Sequence, residues 1–265
     1  MSDRDHELFK GRKEEKRYFD SDLLETVEEV FDSATIATIL NLIRSKCLKR
    51  IKGVISAGKE ARVYWGESFE GRDIALKIYY VTTSEFRRSI WKYLAGDPRF
   101  EDYKGMNWRR LIYLWASKEY SNLIRLSKAG VRVPKPLCKK NNVIVLEFIG
   151  KEGVRAPLLK EAYEEKLLSE EDLRRIYEDL IEQIHKMVVD AGIVHADLSE
   201  YNIMIYEGKP YIIDVSQAVS VKSANALEFL RHDIYTIVNF FRRAGVETED
   251  PEHIMRKLLD ELDIA

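Results

Sequence analysis

Strand-type and helix-type patterning are segregated along this sequence, and the change falls near Gly150. Ahead of it, Val54-Ile55, Arg62 to Trp65 and Ile74 to Tyr79 read as an antiparallel meander, with a turn at Glu70-Gly71-Arg72. A single helix interrupts the strands over Leu111 to Lys128, with Ile112, Trp115, Ala116, Glu119, Leu123 and Leu126 in phase and Gly130 as its stop. Val131 to Pro136 holds two prolines, each of which disfavours the helical basin in its predecessor, so this stretch is an extended connector. Leu137-Cys138, a turn over 139–142 and Val143 to Phe148 then read as a hairpin. Beyond Gly150, Ser169-Glu170-Glu171-Asp172 opens a helix in the manner of a capping box. The apolar stripe of that helix, Leu173, Ile176, Tyr177, Leu180, Ile181, Ile184, Met187 and Val188, ends at Gly192. Strands collected in one part of a chain and helices in the next make an α+β fold.

The flanks and the composition set outer limits. Twelve of the first 20 residues are charged, which reads as an arm that is frayed or docks weakly. A short amphipathic helix follows through Ile36, Ile39, Leu40, Ile43 and Cys47, and the basic cluster Lys46, Lys49, Arg50 and Lys52 reads as its solvated end. The boundaries expected are thus 1–50 for arm and helix, 51–150 for the sheet lobe and 151–265 for the helical lobe. With 43 basic and 45 acidic residues the net charge is −2, which excludes a globally basic nucleic-acid binder. The longest uncharged run, Ser33 to Ile43, has 11 residues, too few to cross a bilayer. No stretch of signal-peptide type opens the sequence, and two cysteines 91 positions apart make no framework. A cytoplasmic protein with two inert thiols is expected.

The chemistry concentrates after the long helix. His195-Ala196-Asp197 precedes Asn202 by a short loop, and Ile203 to Tyr206, Glu207-Gly208-Lys209-Pro210 and Tyr211 to Asp214 form a hairpin pattern. A turn centred on Gly208 sets Ile203 opposite Ile213 and Asn202 opposite Asp214. An amide oxygen and a carboxylate at the open end of a hairpin are hard oxygen ligands suited to Mg²⁺. Asp197 adds a second carboxylate nearby, and phosphoryl transfer divides its labour this way: one carboxylate for the hydroxyl proton, another for the metal on the phosphates. His195 is read as a backbone support. Upstream, Ala75-Leu76-Lys77-Ile78 matches a strand pattern whose lysine reaches nucleotide phosphates, and Glu119 could pair with Lys77, although Lys118 and Arg125 offer it ordinary surface pairing. Ser56, Gly58 and Ala61 stand at the glycine positions of a phosphate-covering loop, where Ser56 and Lys59 could add contacts.

In this order the motifs resemble the RIO family of atypical serine/threonine protein kinases. The resemblance rests on Ser56-x-Gly58-Lys59-Glu60-Ala61, Asn122 to Leu126, Glu147-Phe148-Ile149-Gly150, His195 to Asn202 and Ile213-Asp214-Val215-Ser216-Gln217, and it covers roughly residues 35–260. It points to the first subfamily, since about 50 residues before the sheet lobe leave little room for the winged helix of the second. The resemblance implies a two-lobed kinase-like fold, with an antiparallel sheet N-lobe and a mostly helical, truncated C-lobe. It implies Asp197 as the catalytic aspartate, Asn202 and Asp214 on the metal, Lys77 with Glu119 on the ATP phosphates, and Glu147 and Ile149 holding adenine through backbone groups. It further implies ATP with Mg²⁺ or Mn²⁺ as cofactors, serine-containing protein substrates including the chain itself, transient phosphorylation of Asp214 with ATP hydrolysis, and work on a small ribosomal subunit precursor and its RNA.

Two departures from ordinary protein kinases bear on substrate choice. Asp214-Val215-Ser216 replaces Asp-Phe-Gly, and the 51 residues after Asp214 leave little space for an activation segment. Residues 84–110 carry a net charge of +3 with six interleaved aromatics, which suits a flap over the nucleotide better than an RNA contact. Two other readings stay open on the residues alone. One is a small-molecule kinase of aminoglycoside or choline type; the other is a nucleotide-gated binding module for a ribosomal precursor with incidental turnover.

Overall fold

The computed structural model describes residues 31–81, 90, 93, 97 and 106–262. The charged arm and most of segment 84–110, with the flap or RNA surface expected there, lie outside the described residues. Contacts divide the chain into two compact units. The first holds Met1–Thr83, Trp108–Ser117 and Pro136–Gly153, and the second holds Ser84–Asn107, Lys118–Lys135 and Val154–Ala265.

The first unit is one antiparallel sheet backed by a helix. Strands β1 (Arg50–Ala57), β2 (Ala61–Glu67) and β3 (Asp73–Tyr79) form the meander, and β4 (Pro136–Lys140) with β5 (Val143–Glu147) forms the later hairpin, in the order β1-β2-β3-β5-β4. Helix α1 (Ser33–Arg44) is started by Asp32, whose carboxylate accepts the Thr35 N–H at 2.9 Å, and it buries Ile39, Leu42 and Ile43 with Leu48, Tyr64, Leu76, Ile78 and Val145. The apolar positions of α1 recur every three or four residues while those of the strands alternate, so both present one face to a shared core. Gly66 is required at the centre of this packing. A Cβ there would lie 2.7 Å from the Leu76 side chain and 3.0 Å from the Arg50 carbonyl.

Two expectations are corrected in this unit. Helix α1 stops at Arg44, and the residues beyond it start the sheet instead of prolonging a solvated helix end. Lys49, Arg50 and Lys52 converge on Glu67 at 2.6, 2.7 and 3.2 Å. Cys47 and Cys138, expected as separate inert thiols, lie side by side with a Cα–Cα distance of 6.3 Å. Their separation of 91 positions hid this proximity, which arises because α1 packs on the sheet that carries β4.

The three cations hold the Glu67 carboxyl down to about 2, from an ordinary value of 4.5. Its folded pKa lies below its unfolded one, so its stabilising effect is complete above about pH 4.5 and is lost as pH falls through 2. The melting midpoint of Glu67→Gln is therefore expected below that of wild type at neutral pH and to converge with it near pH 2. A difference that stays constant over that window would contradict the assignment.

The second unit is mostly helical. It contains α3 (Leu159–Glu164), α4 (Glu170–His185), α5 (Ala226–Arg243) and α6 (Pro251–Glu261), and the C-terminal part of α2 (Trp108–Lys128), whose first ten residues belong to the first unit. Helix α4 opens as read: the Ser169 hydroxyl accepts the Asp172 N–H at 3.1 Å, and the Asp172 carboxylate accepts the Ser169 N–H at 3.1 Å. Its buried stripe continues through a π-helical turn, Lys186–Asp190, that seats Met187 and Val188 before Gly192. Two short antiparallel ladders complete the unit, β6 (Ile193–Val194) with β9 (Val219–Ser220) and β7 (Ile203–Tyr206) with β8 (Lys209–Ile212). Among the described residues, no helix is long and apolar enough to cross a membrane.

Candidate active site

The hairpin that presents Asn202 and Asp214 is built one residue out of the expected register. Glu207 and Gly208 both take positive φ, 51° and 72°, so Tyr206 faces Lys209 across a two-residue turn. Ile203 therefore pairs with Ile212, and Asn202 stands opposite Ile213, whose N–H it accepts at 3.0 Å. The reading that paired Ile203 with Ile213 and Asn202 with Asp214 is thus corrected. A turn centred on one residue leaves a one-residue loop, whereas two left-handed residues suit the right-handed twist of the flanking strands. Asp214 lies just past the ladder and takes φ 56°, which turns the chain out of the strand.

Asp197 and Asp214 are exposed, and the backbone around them is buried and tied down. The Asn202 amide donates to the Asp197 carbonyl at 2.8 Å and more weakly to its carboxylate at 3.4 Å, which leaves the Asn202 amide oxygen for another partner. The Ser216 hydroxyl donates to the Asp214 carboxylate at 2.9 Å. Desolvation pushes the Asp197 carboxyl above the usual carboxylate range; His195 opposes this, and the Asp214 charge adds to it. Two carboxylates near enough to repel, beside a free amide oxygen, form a site that a divalent cation would relieve. Among the described residues no group of three His, Cys, Asp or Glu could hold a metal. The donor set is an oxygen pair, which fits Mg²⁺ completed by phosphate and water better than it fits a protein-caged ion.

His195 supports backbone, as read from the sequence. It is fully buried and its Nε2 lies 3.0 Å from the Ile213 carbonyl. A carbonyl can only accept, so Nε2 carries the proton. This bond ties the strand before Asp197 to the residue before Asp214.

Three further residues hold this loop system and escaped the sequence reading. Asp233, on α5 and fully buried, accepts the Ala196 N–H at 2.8 Å and the Leu198 N–H at 2.9 Å, gripping the backbone on both sides of Asp197. Burial pushes its carboxyl upward, while His195 and the two amides oppose that. Lys118 and Asn122, one turn apart on α2, are also fully buried and donate to carbonyls of residues 215–218. Lys118 is therefore no surface partner for Glu119, and Glu119 is itself 2% exposed. Side chains bonded to distant backbone leave no mark in local periodicity. The signals that could have found them are a charged residue at an apolar phase of α5 and the Asn122 motif on α2.

The other sequence-predicted residues lie in the first unit, apart from Glu119 in the second. Ser56 and Lys59 are exposed at the β1–β2 turn, where the Gly58 N–H donates to the Ala61 carbonyl at 2.9 Å. Lys77, central in β3 between Val63 and Ile144, is only 8% exposed, unlike a strand lysine that points to water. Glu147 ends β5, and the buried Ile149 follows it. The structure gathers Ser56, Lys59, Lys77, Glu147 and Ile149 on one unit, and Asp197, Asn202, Asp214 and Glu119 on the other.

Residues 62–254 match the RIO1 family model, a RIO domain. The chain is 40% identical over 247 residues to the RIO-type serine/threonine-protein kinase Rio1 of Haloferax volcanii, covering 93% of this chain and 80% of that protein. It is 35% identical to the Methanocaldococcus jannaschii Rio1 over 98% of this chain and 87% of that one. It is also 40% identical to human serine/threonine-protein kinase RIO1, of whose length it spans 38%. In fold it is similar to the Rio2 kinase of Chaetomium thermophilum in an ADP/Mg²⁺-phosphoaspartate complex, with TM-score 0.62 and 23% identity over 83% of this chain and 64% of that one. An α+β chain with an antiparallel sheet unit, a mostly helical unit and this loop is kinase-like. The chain belongs to the RIO domain family, among the Rio1-type atypical serine/threonine-protein kinases.

Proposed function

We propose that this protein is a Mg²⁺·ATP-dependent serine/threonine kinase that also hydrolyses ATP. The observation that carries the reading is the coupled pair of exposed carboxylates, Asp197 and Asp214, with the Asn202 amide oxygen beside them on a clamped loop. Asp197 accepts the proton of a serine hydroxyl as that oxygen bonds to the γ-phosphorus and the bond to the ADP oxygen breaks. Asn202 and Asp214 hold Mg²⁺, which when bound neutralises charge on the phosphates. Lys77 and Glu119 position the phosphates, the Ser56 and Lys59 loop covers them, and Glu147 and Ile149 offer backbone groups to adenine.

Hydrolysis takes a second route over the same residues. An Asp214 carboxylate oxygen attacks the γ-phosphorus and ADP leaves; water, giving a proton to the Asp197 carboxylate, then attacks the phosphorus of the acyl phosphate, releasing phosphate and restoring the Asp214 carboxylate. The fold neighbour's phosphoaspartate with ADP and Mg²⁺ supports this reading. The roles of the two units follow: the sheet unit is nucleotide-binding and the helical unit is catalytic. Family membership supports cytoplasmic action in maturation of the small ribosomal subunit, with its precursor and RNA as partners.

Labelled Mg²⁺·ATP offered with serine-containing proteins, and separately with small hydroxylated acceptors of aminoglycoside or choline type, tests the substrate class. Label is expected on protein, the chain itself included. Saturable labelling of a small acceptor with none on protein would overturn the reading. Hydroxylamine is expected to cleave the acyl phosphate, releasing part of the self-label as inorganic phosphate, a part that Asp214→Asn lacks.

A further inference from the structure

The segment after Asp214 is held in a way the reaction does not by itself require. The Lys118 ammonium is fully buried and donates to the Ser216 carbonyl at 2.8 Å and the Ala218 carbonyl at 2.6 Å. The Asn122 amide, four residues on and on the same face of α2, donates to the Val215 carbonyl at 2.9 Å and the Ala218 carbonyl at 3.2 Å. Three of the four carbonyls following Asp214 are thereby fixed from one helix. Val215, Ser216 and Ala218 are themselves buried, and the Ser216 hydroxyl reaches back to the Asp214 carboxylate at 2.9 Å. Asp214 sits at φ 56°, a conformation unfavourable for a side-chain-bearing residue unless its surroundings impose it.

A buried ammonium is costly unless it is hydrogen-bonded, and the Ser216 and Ala218 carbonyls supply such bonds to Lys118. Here its hydrogen-bond geometry selects one peptide orientation at residues 216 and 218, and with it the direction in which the Asp214 carboxylate leaves the backbone. The Asp-Val-Ser sequence has neither the phenylalanine nor the glycine with which ordinary kinases reposition this loop.

We propose that Lys118 and Asn122 are positioning residues that lock the 215–218 backbone and so hold the Asp214 carboxylate in its metal-binding orientation before any ligand arrives. The inference rests on Asp214 being the metal carboxylate of the proposed function. The clamp acts on the metal-dependent part of nucleotide binding, since adenine and the lysine-held phosphates are contacted by other residues.

The test is calorimetric titration of ADP into the full chain, once with Mg²⁺ and once with EDTA, for wild type, Lys118→Met and Asn122→Ala. Wild type is expected to bind ADP more tightly with Mg²⁺. In Lys118→Met that metal-dependent gain should fall at least tenfold, while metal-free affinity stays within about twofold of wild type; Asn122→Ala should show a smaller loss of the same kind. Melting curves establish that each variant is folded, and Asn122→Ala decides the matter if Lys118→Met is not. An unchanged metal-dependent gain in a folded variant overturns the proposal. So does an equal fall in metal-free and metal-bound affinity, which marks a merely structural role. If wild type itself shows no gain with Mg²⁺, the functional reading falls and takes the clamp with it.

Discussion

Asp197→Asn is expected to lower phosphoryl transfer by at least about 10³-fold while ATP affinity stays within about threefold of wild type, because a general base acts on the acceptor proton and not on the nucleotide. The substitution is nearly isosteric and falls on an exposed side chain, so the loop keeps its shape. Its bonds favour this: the Asn202 amide bonds mainly to the Asp197 backbone carbonyl, which the change does not touch. Removing one of two mutually repelling carboxylates should, if anything, ease the Asp214 charge. Initial rates under saturating Mg²⁺·ATP, with equilibrium nucleotide binding alongside, give both quantities. A loss of affinity as large as the loss of rate would show that Asp197 holds nucleotide or structure instead of the acceptor proton.

The second large effect is expected at Asp233, which never touches substrate. Asp233→Ala strands the Ala196 and Leu198 N–H groups in a dry interior. Each stranded donor costs about 1–3 kcal/mol, and for a chain of this size the pair should lower the melting midpoint by roughly 5–15 °C. Ala196 holds φ 69°, which one of those bonds stabilises, so the loop is also free to relax. A shift of about 1 Å in a catalytic group costs about 10²-fold in rate, so activity measured below the new midpoint should fall by at least that factor. Asp233→Asn keeps one carboxamide oxygen as acceptor and should lose less of both. Full activity in a folded Asp233→Ala would mean that the loop is held by other contacts.

How much of this was legible in the sequence depended on the range of the signal. The Asp197, Asn202 and Asp214 set lies within 18 residues and is organised by one hairpin, so residue type and spacing sufficed to find it. Its register was not legible, because the turn is settled by whether Glu207 accepts a left-handed conformation beside Gly208, and only the folded backbone displays that. The meander, the extended Val131 to Pro136 stretch and the capping box at Ser169 came from alternation, proline sterics and a local hydrogen-bond pair. Lys118 and Asp233 were missed for the opposite reason. Their partners lie 98 to 100 and 35 to 37 residues away, and each is a charged side chain answering a backbone group that carries no sequence identity. The proximity of Cys47 and Cys138 belongs with them, since it depends on α1 lying against the sheet.

The most direct measurement is incubation of wild type and Asp197→Asn with Mg²⁺·[γ-³²P]ATP, counting protein-bound label and free phosphate, and then treating the labelled protein with acid and with base. Wild type is predicted to carry acid-stable, base-labile label on serine and to release phosphate, and Asp197→Asn to do neither. Equal and negligible signal in the two proteins, with tight ATP binding in both, would contradict the account and leave a nucleotide-gated binding module in its place.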